Sequence, residues 1–582
     1  MRNLIERLDR YIDLEYDTSI KQVKEIWKKP LAERVSEGEA ISDIDVISHD
    51  LAKLRVRCRL NISKFRIGSR LRIHQNNPAD GISCEVLRDD GLELELKPGY
   101  RESFSGITGS GWILDNDYVD IRRILKEVLS ELEHNKEMYQ RFVQKLNGDL
   151  KPLLSRQKAE QVLSEARKKG FNAKQLKAYL AAYAAQNYYL IQGPPGTGKT
   201  WVLAHLAARL AQDGERVLIT AFTHRAINNA LVKTARTTGF DKICKVGQTT
   251  NATDLSWNGG SVANYEKFSL SPYSHEEKGL IVGGTCFAVR TRRLSDIEFD
   301  TVIFDEAGQV TLPLAFAGML AGKRYIFIGD HKQMPPVVVA EHRDKQITKS
   351  IFESLFAHAP GTMLDTTYRM NKEINDFPSK QFYMGNLQTA ASCANNQIKL
   401  NHAPDRFKAI LNPQRPSVFV DLGHEKRGMR SSEEAILSAH LVKDMIAGGI
   451  NPKEIAIIAP YRAQGRLIRE QIRKLENGRI WLENIVVDTV ERIQGQERDV
   501  ILISLTTSDP SHAANRAEFF FQPNRLNVAL TRPRKKRIVI GSSKVLNTKT
   551  GDKMLDNNIE IFKEFYASCS VINVRMRQAA EA

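Results

Sequence analysis

A glycine-rich segment near residue 195 constrains the fold of this chain more than any other feature. It reads Gly193-Pro194-Pro195-Gly196-Thr197-Gly198-Lys199-Thr200. An apolar run at 188–192 precedes it and helix-forming residues follow it, which is the setting of a phosphate-binding loop. Backbone N–H groups in such a loop, with the N-terminus of the next helix, attract phosphate groups. We predict that Lys199 reaches the β- and γ-phosphates of a nucleotide and that Thr200 holds Mg²⁺.

Apolar strands alternate with helical segments on both sides of this loop, which indicates parallel α/β sheets. The strand candidates form two sets, at 188–192, 216–221, 280–284, 301–305 and 325–329, and then at 417–421, 455–460, 485–488, 500–505 and 537–541. The chain is therefore predicted to contain two α/β cores of similar size.

Length and charge narrow the class of protein. The chain has 582 residues, too many for one domain, and a formal net charge of +16, which favours a polyanionic partner. The six cysteines are scattered without CxxC spacing, so no zinc site is expected and a reducing cytoplasm fits best. The N-terminus does not resemble a signal peptide, and no apolar run is long enough to predict a membrane span.

The region before the first core divides into three parts. Residues 1–45 are predicted to form a helix and stalk, 46–116 a small basic β-barrel, and 117–170 a stalk of two helices broken near 147–149. In the barrel, Arg55, Arg57 and Arg59 alternate with apolar residues, so they share one face of a strand. That face is either simply solvated or contacts nucleic acid, and the two interpretations are equally favoured.

Two adjacent acids follow another buried strand of the first core. Asp305 and Glu306 stand at the predicted carboxyl edge of the parallel sheet, where ligands bind in such folds. Asp305 is placed to hold hydrated Mg²⁺, and Glu306 to polarise the water that attacks the nucleotide.

Further motifs occur in a fixed order along the chain. They are Asp305-Glu306-Ala307-Gly308-Gln309, Gly329-Asp330-His331-Lys332-Gln333-Met334-Pro335-Pro336, Thr367-Tyr368-Arg369-Met370, Pro460-Tyr461-Arg462-Ala463-Gln464, Gln494-Gly495-Gln496-Glu497 and Asn527-Val528-Ala529-Leu530-Thr531-Arg532. Together with the phosphate loop, these resemble the motifs of superfamily 1 helicases over about residues 171–545. The 5′-to-3′ branch, which contains the nonsense-mediated-decay helicase, is the most similar. Within it, 221–229 and 284–286 look most like the helicase module of the eukaryotic replication nuclease–helicase.

This resemblance implies a fold of two tandem RecA-like parallel-sheet domains, at 171–350 and 351–545, with an N-terminal helical stalk and a small β-barrel insertion. Residues 546–582 are left as a tail. No nuclease-like cluster precedes the helicase region, so the nuclease half of the most similar relative is expected to be absent.

The resemblance also implies the residues of an ATP site. Asn172 and Gln175 would recognise adenine, Tyr368 would stack on it, and Glu497 would bind the ribose. Gln333 would sense the γ-phosphate. Arg369 and Arg532, supplied by the second core, would be arginine fingers that stabilise charge on the transferred phosphoryl group. Thr367 departs from the glutamine that the family often has there, which leaves one polar contact in doubt.

For a single-stranded nucleic acid, the resemblance points to Thr223, His224, Thr285 and Thr489, with Arg462 adding charge. Hydroxyl groups and backbone N–H groups can hold phosphates without reading bases. The sequence thus predicts an ATP- and Mg²⁺-dependent helicase or translocase, moving 5′-to-3′ and favouring DNA over RNA. The alternative is a nucleic-acid-binding ATPase switch that remodels protein–nucleic-acid complexes without processive unwinding.

Overall fold

A computed structural model gives the structure of the chain. It describes residues 2–50, 52–249, 252, 254–295, 297–402, 404 and 406–574. Within those ranges, no helix is both long enough and apolar enough to cross a membrane.

The chain begins with two helices and a six-stranded barrel. The helices are α1 (Arg2–Lys28) and α2 (Leu31–Glu37), and the strands are β1 (Ala40–His49), β2 (Leu54–Cys58), β3 (Arg70–His74), β4 (Ile82–Asp89), β5 (Glu93–Pro98) and β6 (Trp112–Asn116). The barrel closes antiparallel in the order β1-β2-β5-β4-β3-β6. Its alternating buried residues fill the interior, as the period of a strand requires.

Four helices connect the barrel to the first sheet: α3 (Arg122–His134), α4 (Lys136–Asn147), α5 (Arg156–Arg167) and α6 (Ala173–Ala184). The predicted break near 147–149 is present, because Gly148 ends α4 in the left-handed conformation. A second break at Asn135 was not predicted. Its side chain accepts a hydrogen bond from the Met138 N–H and caps the next helix, so the stretch holds three helices rather than two.

The first α/β core is built on an eight-stranded, all-parallel sheet. Its strands are β7 (Tyr188–Gln192), β8 (Arg216–Ala221), β9 (Ile243–Val246), β12 (Ala263–Tyr265), β13 (Leu280–Gly283), β14 (Phe299–Asp305), β15 (Gly322–Gly329) and β16 (Thr362–Met363). The order is β12-β9-β13-β8-β14-β15-β7-β16. A hairpin of β10 (Ser256–Trp257) and β11 (Gly260–Ser261) lies outside it. The helices are α7 (Lys199–Gln212), α8 (His224–Thr238), α9 (Leu312–Met319) and α10 (Ile351–Phe356).

The second core follows a short strand pair, β17 (Thr366–Thr367) and β18 (Gln388–Thr389). Its parallel sheet contains β19 (Ser417–Asp421), β20 (Ile455–Ile458), β21 (Val486–Asp488), β22 (Arg498–Ser504), β23 (Pro533–Gly541) and β24 (Ser570–Asn573), in the order β21-β20-β22-β23-β19-β24. The helices are α11 (Lys372–Tyr383), α12 (Ser432–Ala447), α13 (Arg462–Arg473), α14 (Gly478–Leu482), α15 (Val490–Ile493), α16 (Pro510–Ala514), α17 (Ala517–Phe520), α18 (Pro523–Leu530) and α19 (Lys553–Ser568). Two parallel sheets in tandem confirm the predicted fold class.

Three predicted boundaries differ from the structure. The barrel starts at Ala40 rather than at 46, because β1 is paired from its first residue with β6. The first core continues past 350, since β16 adds an edge strand beside β7. The predicted tail is wrong as a description of 546–574: α19 buries Ile559, Phe562 and Phe565, and β24 pairs with β19. Residues 575–582 lie outside the described residues.

Candidate ATP cleft and nucleic-acid surface

The phosphate loop joins the buried strand β7 to helix α7 and is packed too tightly for side chains at its glycines. A Cβ atom on Gly193 would lie 2.0 Å from the Lys199 side chain. Gly196 and Gly198 have φ of 74° and 83°, which L-residues rarely adopt. The ammonium group of Lys199 donates to the carbonyl oxygen of Gly193 at 2.6 Å. Lys199 therefore points back at its own loop in this structure.

The helix before the loop also supports it from below. Asn172 and Gln175 form a reciprocal capping box at the start of α6, and the Gln175 side chain donates to the Thr197 carbonyl at 2.9 Å. The Asn172 amide donates to the hydroxyl of Tyr368 at 2.9 Å. The oxygen of the Gln175 amide is occupied within the protein, so the structure gives this residue a role in holding the loop. Its predicted contact with adenine stays a prediction.

The segment that follows the first sheet closes over the phosphate loop. The Tyr368 N–H donates to the Gly196 carbonyl at 2.8 Å. A Cβ atom on Gly196 would lie 2.5 Å from both the Arg369 Cβ and the Thr367 hydroxyl. Tyr368 is 47% exposed, so it is not a core residue, and its predicted stacking on adenine stays a prediction. The segment 367–369 thus touches the phosphate loop directly.

Asp305 and Glu306 lie where the sequence places them, at the carboxyl end of β14. Burial raises the pKa of Asp305 to about 7; the Glu306 charge raises it further and Lys199 opposes this. Glu306 has a φ of 49°, and its N–H donates to the Asp305 carboxylate at 3.0 Å. A non-glycine residue held in the left-handed region costs free energy and is concentrated at functional sites. These two acids and Lys199 form one electrostatic unit beside the loop.

Two arginines approach this unit from the second core. Arg369 donates to the Glu497 carboxylate at 2.5 Å and to the Thr531 carbonyl at 3.0 Å. Arg532 is 2% exposed and donates to the Val528 carbonyl at 2.9 Å. Burial lowers the pKa of Arg532 to about 9, with a further contribution from Arg369. Glu497, predicted to bind ribose, therefore holds Arg369 in this structure.

Gln333 connects the two cores at the floor of the cleft. It is 3% exposed, donates to the Asp330 carboxylate at 2.8 Å, and accepts from the Arg532 guanidinium at 3.3 Å. Tyr383 of the second core donates to the same Asp330 carboxylate at 2.7 Å. Gln333 is thus in direct hydrogen-bond contact with Arg532. We call the space between the loop, Asp305, Gln333 and the two arginines the ATP cleft.

The predicted nucleic-acid residues fall into two groups, one on each core. Thr223, His224 and Thr285 follow β8 and β13, which are neighbours in the first sheet. Arg462 and Thr489 follow β20 and β21, which are neighbours in the second. Each group therefore gathers at the carboxyl edge of its own sheet.

In the group on the first core, the two threonine hydroxyls already accept hydrogen bonds from nearby backbone N–H groups. Thr223 and Thr285 accept hydrogen bonds from the N–H groups of Ala226 and Ala288, both at 3.2 Å. Burial lowers the pKa of His224 to about 4, and Lys245 and Arg293 lower it further. The imidazole is therefore neutral at physiological pH.

The basic strand of the barrel differs from its prediction. Arg55 and Arg57 are exposed, but both pair with Glu93 on the neighbouring strand, at 3.3 and 2.6 Å. Arg59 lies beyond the end of β2, and Leu60, expected on the apolar face, is 59% exposed. The sequence could not show that a separate strand supplies an acid. Arg55 and Arg57 thus have an acidic partner, and their predicted contact with nucleic acid stays a prediction.

A different basic groove was missed. It lies between residues 63–65 of the barrel and 461–469 and 487–492 of the second core, and we call it the barrel seam. Arg462, Arg466 and Arg469 recur at helical spacing on α13, so one face of the helix carries all three. That spacing was visible in the sequence.

Helix α1 is a second unpredicted feature. The Glu15 carboxylate accepts from the N–H groups of Val339 and Ala340 at 2.8 and 2.9 Å and contacts His342 at 2.7 Å. Arg7 pairs with Asp344 at 2.6 Å. The first helix of the chain thus anchors the long segment that follows Gln333. Long-range pairs of this kind leave no local pattern in a sequence.

A phosphate loop, an acid pair at the carboxyl end of β14 and two arginines from a second parallel-sheet core define an ATP-hydrolysing motor with tandem RecA-like cores. Two family models, both described as AAA domains, match residues 170–265 with 274–341 and residues 347–544, together more than half of the chain. The chain is 26% identical over 575 residues to the DNA replication ATP-dependent helicase/nuclease JHS1 of Arabidopsis thaliana, covering 93% of this chain and 42% of that protein. It is 30% identical over 404 residues to the DNA replication ATP-dependent helicase/nuclease DNA2 of Mus musculus, covering 64% and 37%.

The chain belongs to the superfamily 1 helicases, and its module is of the kind found in these replication helicase/nucleases. It spans less than half the length of either relative. Among solved structures, the arterivirus nonstructural protein 10 helicase covers 91% of this chain and 82% of its own, at 13% identity and a TM-score of 0.38, which is too low to support an argument.

Proposed function

We propose that the chain is an ATP-driven translocase that moves 5′-to-3′ along single strands, with DNA favoured over RNA. The observation that supports this most is the division of labour between the cores. Each core carries one wall of the ATP cleft and one group of candidate nucleic-acid residues at the edge of its sheet. Opening and closing the cleft would therefore change the distance between two contacts on one bound strand.

ATP would be held by the phosphate loop, with Tyr368 against the adenine. The donor set also fits Mg²⁺: the Thr200 hydroxyl lies in the first turn of α7, and Asp305 is a buried carboxylate at the carboxyl end of β14. When bound, Mg²⁺ would be held by Thr200 and Asp305 and would offset the negative charge of the phosphates.

The residues of the chain have separate tasks in this proposal. Lys199 leaves the Gly193 carbonyl for the phosphates, and Glu306 orients the attacking water. Arg369 and Arg532 stabilise charge on the transferred phosphoryl group, and Glu497 holds Arg369 in position for this task. Gln333 passes the change at the phosphate to Arg532 through the hydrogen bond between them.

The preference for DNA is supported by the printed function of the relatives, which are DNA replication enzymes. Direction comes from the resemblance to the 5′-to-3′ branch. A cytoplasmic location is likewise a proposal, to which the six unpaired cysteines add support for a reducing compartment.

A strand-displacement assay tests the proposal with duplexes that carry either a 5′ or a 3′ single-stranded overhang, in DNA and in RNA. Unwinding of the 5′-overhang DNA substrate is expected, with slower unwinding of its RNA counterpart. Unwinding from the 3′ overhang alone would overturn the polarity. ATP hydrolysis without unwinding of long duplexes would favour the remodelling switch instead.

A further inference from the structure

The barrel seam contains a small cavity of about 130 Å³ that two separate parts of the chain enclose. Residues 63–65 form the barrel side, and α13 with the segment 487–492 forms the other. Arg462 donates to the Lys64 carbonyl at 2.8 Å across it. A side chain on Gly38, just before the barrel, would collide with the guanidinium of Arg466. The barrel and the second core are thus in direct contact here.

The charge of this cavity is one-sided. Asp488 is the single carboxylate among its lining residues. Five basic side chains line it: Lys64, Arg462, Arg466, Arg469 and Arg492. Lys64 is paired with Glu39 outside the cavity, and Arg492 contacts Asp488 at 3.2 Å. Among the described residues, neither Arg466 nor Arg469 has an acidic partner within salt-bridge distance.

The free protein bears an electrostatic cost for this arrangement. Burial lowers the pKa of Arg466, and Arg469, Arg430 and Arg462 lower it further. Burial likewise lowers the pKa of Arg469; Asp488 opposes this shift, and Arg473 and Arg492 add to it. Arg66 of the barrel is affected in the same way by Arg492 and Arg462. An anion in the cavity would relieve all of these repulsions together.

The shape and donors of the cavity favour a phosphate group. Guanidinium groups present paired donors that match phosphate oxygens, and the Thr489 hydroxyl stands beside them. The volume of about 130 Å³ is large enough for one phosphate group. Since Arg462 and Thr489 also belong to the proposed path of the nucleic acid, a phosphodiester of that strand is the natural occupant.

We propose that the barrel seam binds one backbone phosphate of a bound single strand through Arg466 and Arg469, and that this phosphate holds the barrel against the second core. This inference rests on the proposed function, and it adds a contact that the sequence motifs do not contain. The barrel then takes part in gripping the strand through its loop 63–65.

Fluorescence anisotropy with a labelled 20-nucleotide single-stranded DNA tests the core side of the seam. We expect R466Q and R469Q each to raise the dissociation constant about tenfold, and to lower the slope of log affinity against log salt concentration by about 0.7, the value for one lost phosphate contact on a single strand. R479Q, an exposed arginine on α14 outside the cavity, is the matched control and should leave both quantities unchanged.

The barrel side is tested by S63D. An aspartate can still accept from the Phe65 N–H, as the Ser63 hydroxyl does, but it loses the hydrogen bond that this hydroxyl donates to the Asn61 side-chain oxygen, so S63A, which loses that bond without adding charge, is measured beside it. S63D places a carboxylate in the cavity and should weaken binding about as much as R466Q. S48D adds the same charge on an exposed part of β1 and serves as its control.

The outcomes separate the two claims. Absence of binding by the wild-type protein would overturn the proposed function itself. Wild-type binding with unchanged affinity and salt slope in R466Q, R469Q and S63D would overturn the seam. The affinities of wild type and R466Q for DNA are also compared in millimolar inorganic phosphate. If the difference between them disappears there, free phosphate and not the strand is the ligand of the cavity, and the seam proposal is overturned. Far-UV circular dichroism and thermal unfolding, expected to match the wild type in all variants, show that they fold.

Discussion

Arginines gather in two places in this molecule, the ATP cleft and the barrel seam. In the cleft, Arg369 is held by Glu497 and Arg532 by the Val528 carbonyl and Gln333. In the seam, Arg466 and Arg469 have no acidic partner among the described residues and repel their neighbours. The cleft holds its cations with polar groups of the protein that position them, whereas in the seam Arg469 donates to the Val487 carbonyl and the positive charges stay open to an external anion. Acids should therefore have opposite effects in the two places.

The largest effect is expected from R369A in the cleft. Loss of an arginine that stabilises the transferred phosphoryl group costs about 10³-fold in kcat. Because Arg369 does not touch the proposed nucleic-acid path, the affinity for single-stranded DNA should stay within about twofold. Steady-state ATP hydrolysis and anisotropy measure the two quantities, with R479Q as control. If R369A lowered the affinity for single-stranded DNA as much as it lowered kcat, the proposed difference between cleft and seam would be wrong.

Removing the acid of the cleft should also reduce turnover. E497Q keeps the shape of Glu497 but weakens its grip on Arg369, so the arginine is less well positioned when the cleft closes. A fall in kcat of about 30-fold is expected, smaller than for R369A because the arginine itself is retained. A double-mutant cycle of Arg369 and Glu497 should show strong coupling. Additive effects would mean that the pair does not act as a unit.

Removing the acid of the seam, Asp488, should increase function instead: it should strengthen the binding of single-stranded DNA. D488N retains the side-chain oxygen that accepts the Thr489 N–H at 2.8 Å, so local structure is preserved while one negative charge is lost. Affinity for single-stranded DNA should rise about threefold at low salt, and the gain should fade as salt screens it. Weaker binding in D488N would contradict the account of the seam.

The smallest effect concerns pH. A histidine that contacts phosphates and protonates between pH 8 and 6 would strengthen binding as the pH falls. Burial lowers the pKa of His224 to about 4, so its imidazole stays neutral across this window and contributes no such increase. Affinity measured for wild type and H224Q should show the same pH profile. If the affinity for DNA rose at pH 6 in the wild type but not in H224Q, His224 would be protonated in this range and the prediction would be contradicted.

The sequence predicted the parts of the fold that local patterns carry. The central strands at 188–192, 216–221 and 417–421 match the structure residue for residue, because apolar runs between helices are a strong signal for buried parallel strands. It failed at edge strands such as β16 and β24. These are short and their pairing depends on distant residues.

The same limit applies to the candidate site. The phosphate loop, Asp305 and Glu306 were visible because each follows a strand directly. The hydrogen bonds that occupy Gln175 and Glu497, and the Glu93 that pairs with Arg55 and Arg57, join segments far apart in the chain. Only the folded protein shows that these polar groups are already satisfied. Conversely, the spacing of the three arginines on α13 could be recognised in the sequence. The barrel residues that face them could not, because they lie far away in the chain.

The central claim is that a nucleic-acid strand and ATP act on the same pair of walls. Steady-state ATP hydrolysis by the wild-type protein, measured against increasing single-stranded DNA, tests it most directly. We expect turnover to rise at least about tenfold and to saturate, within the range of typical coupling between sites. K199A should bind the DNA but show no turnover at any concentration. Unchanged hydrolysis by wild-type protein saturated with DNA, or stimulated hydrolysis by K199A, would contradict the account.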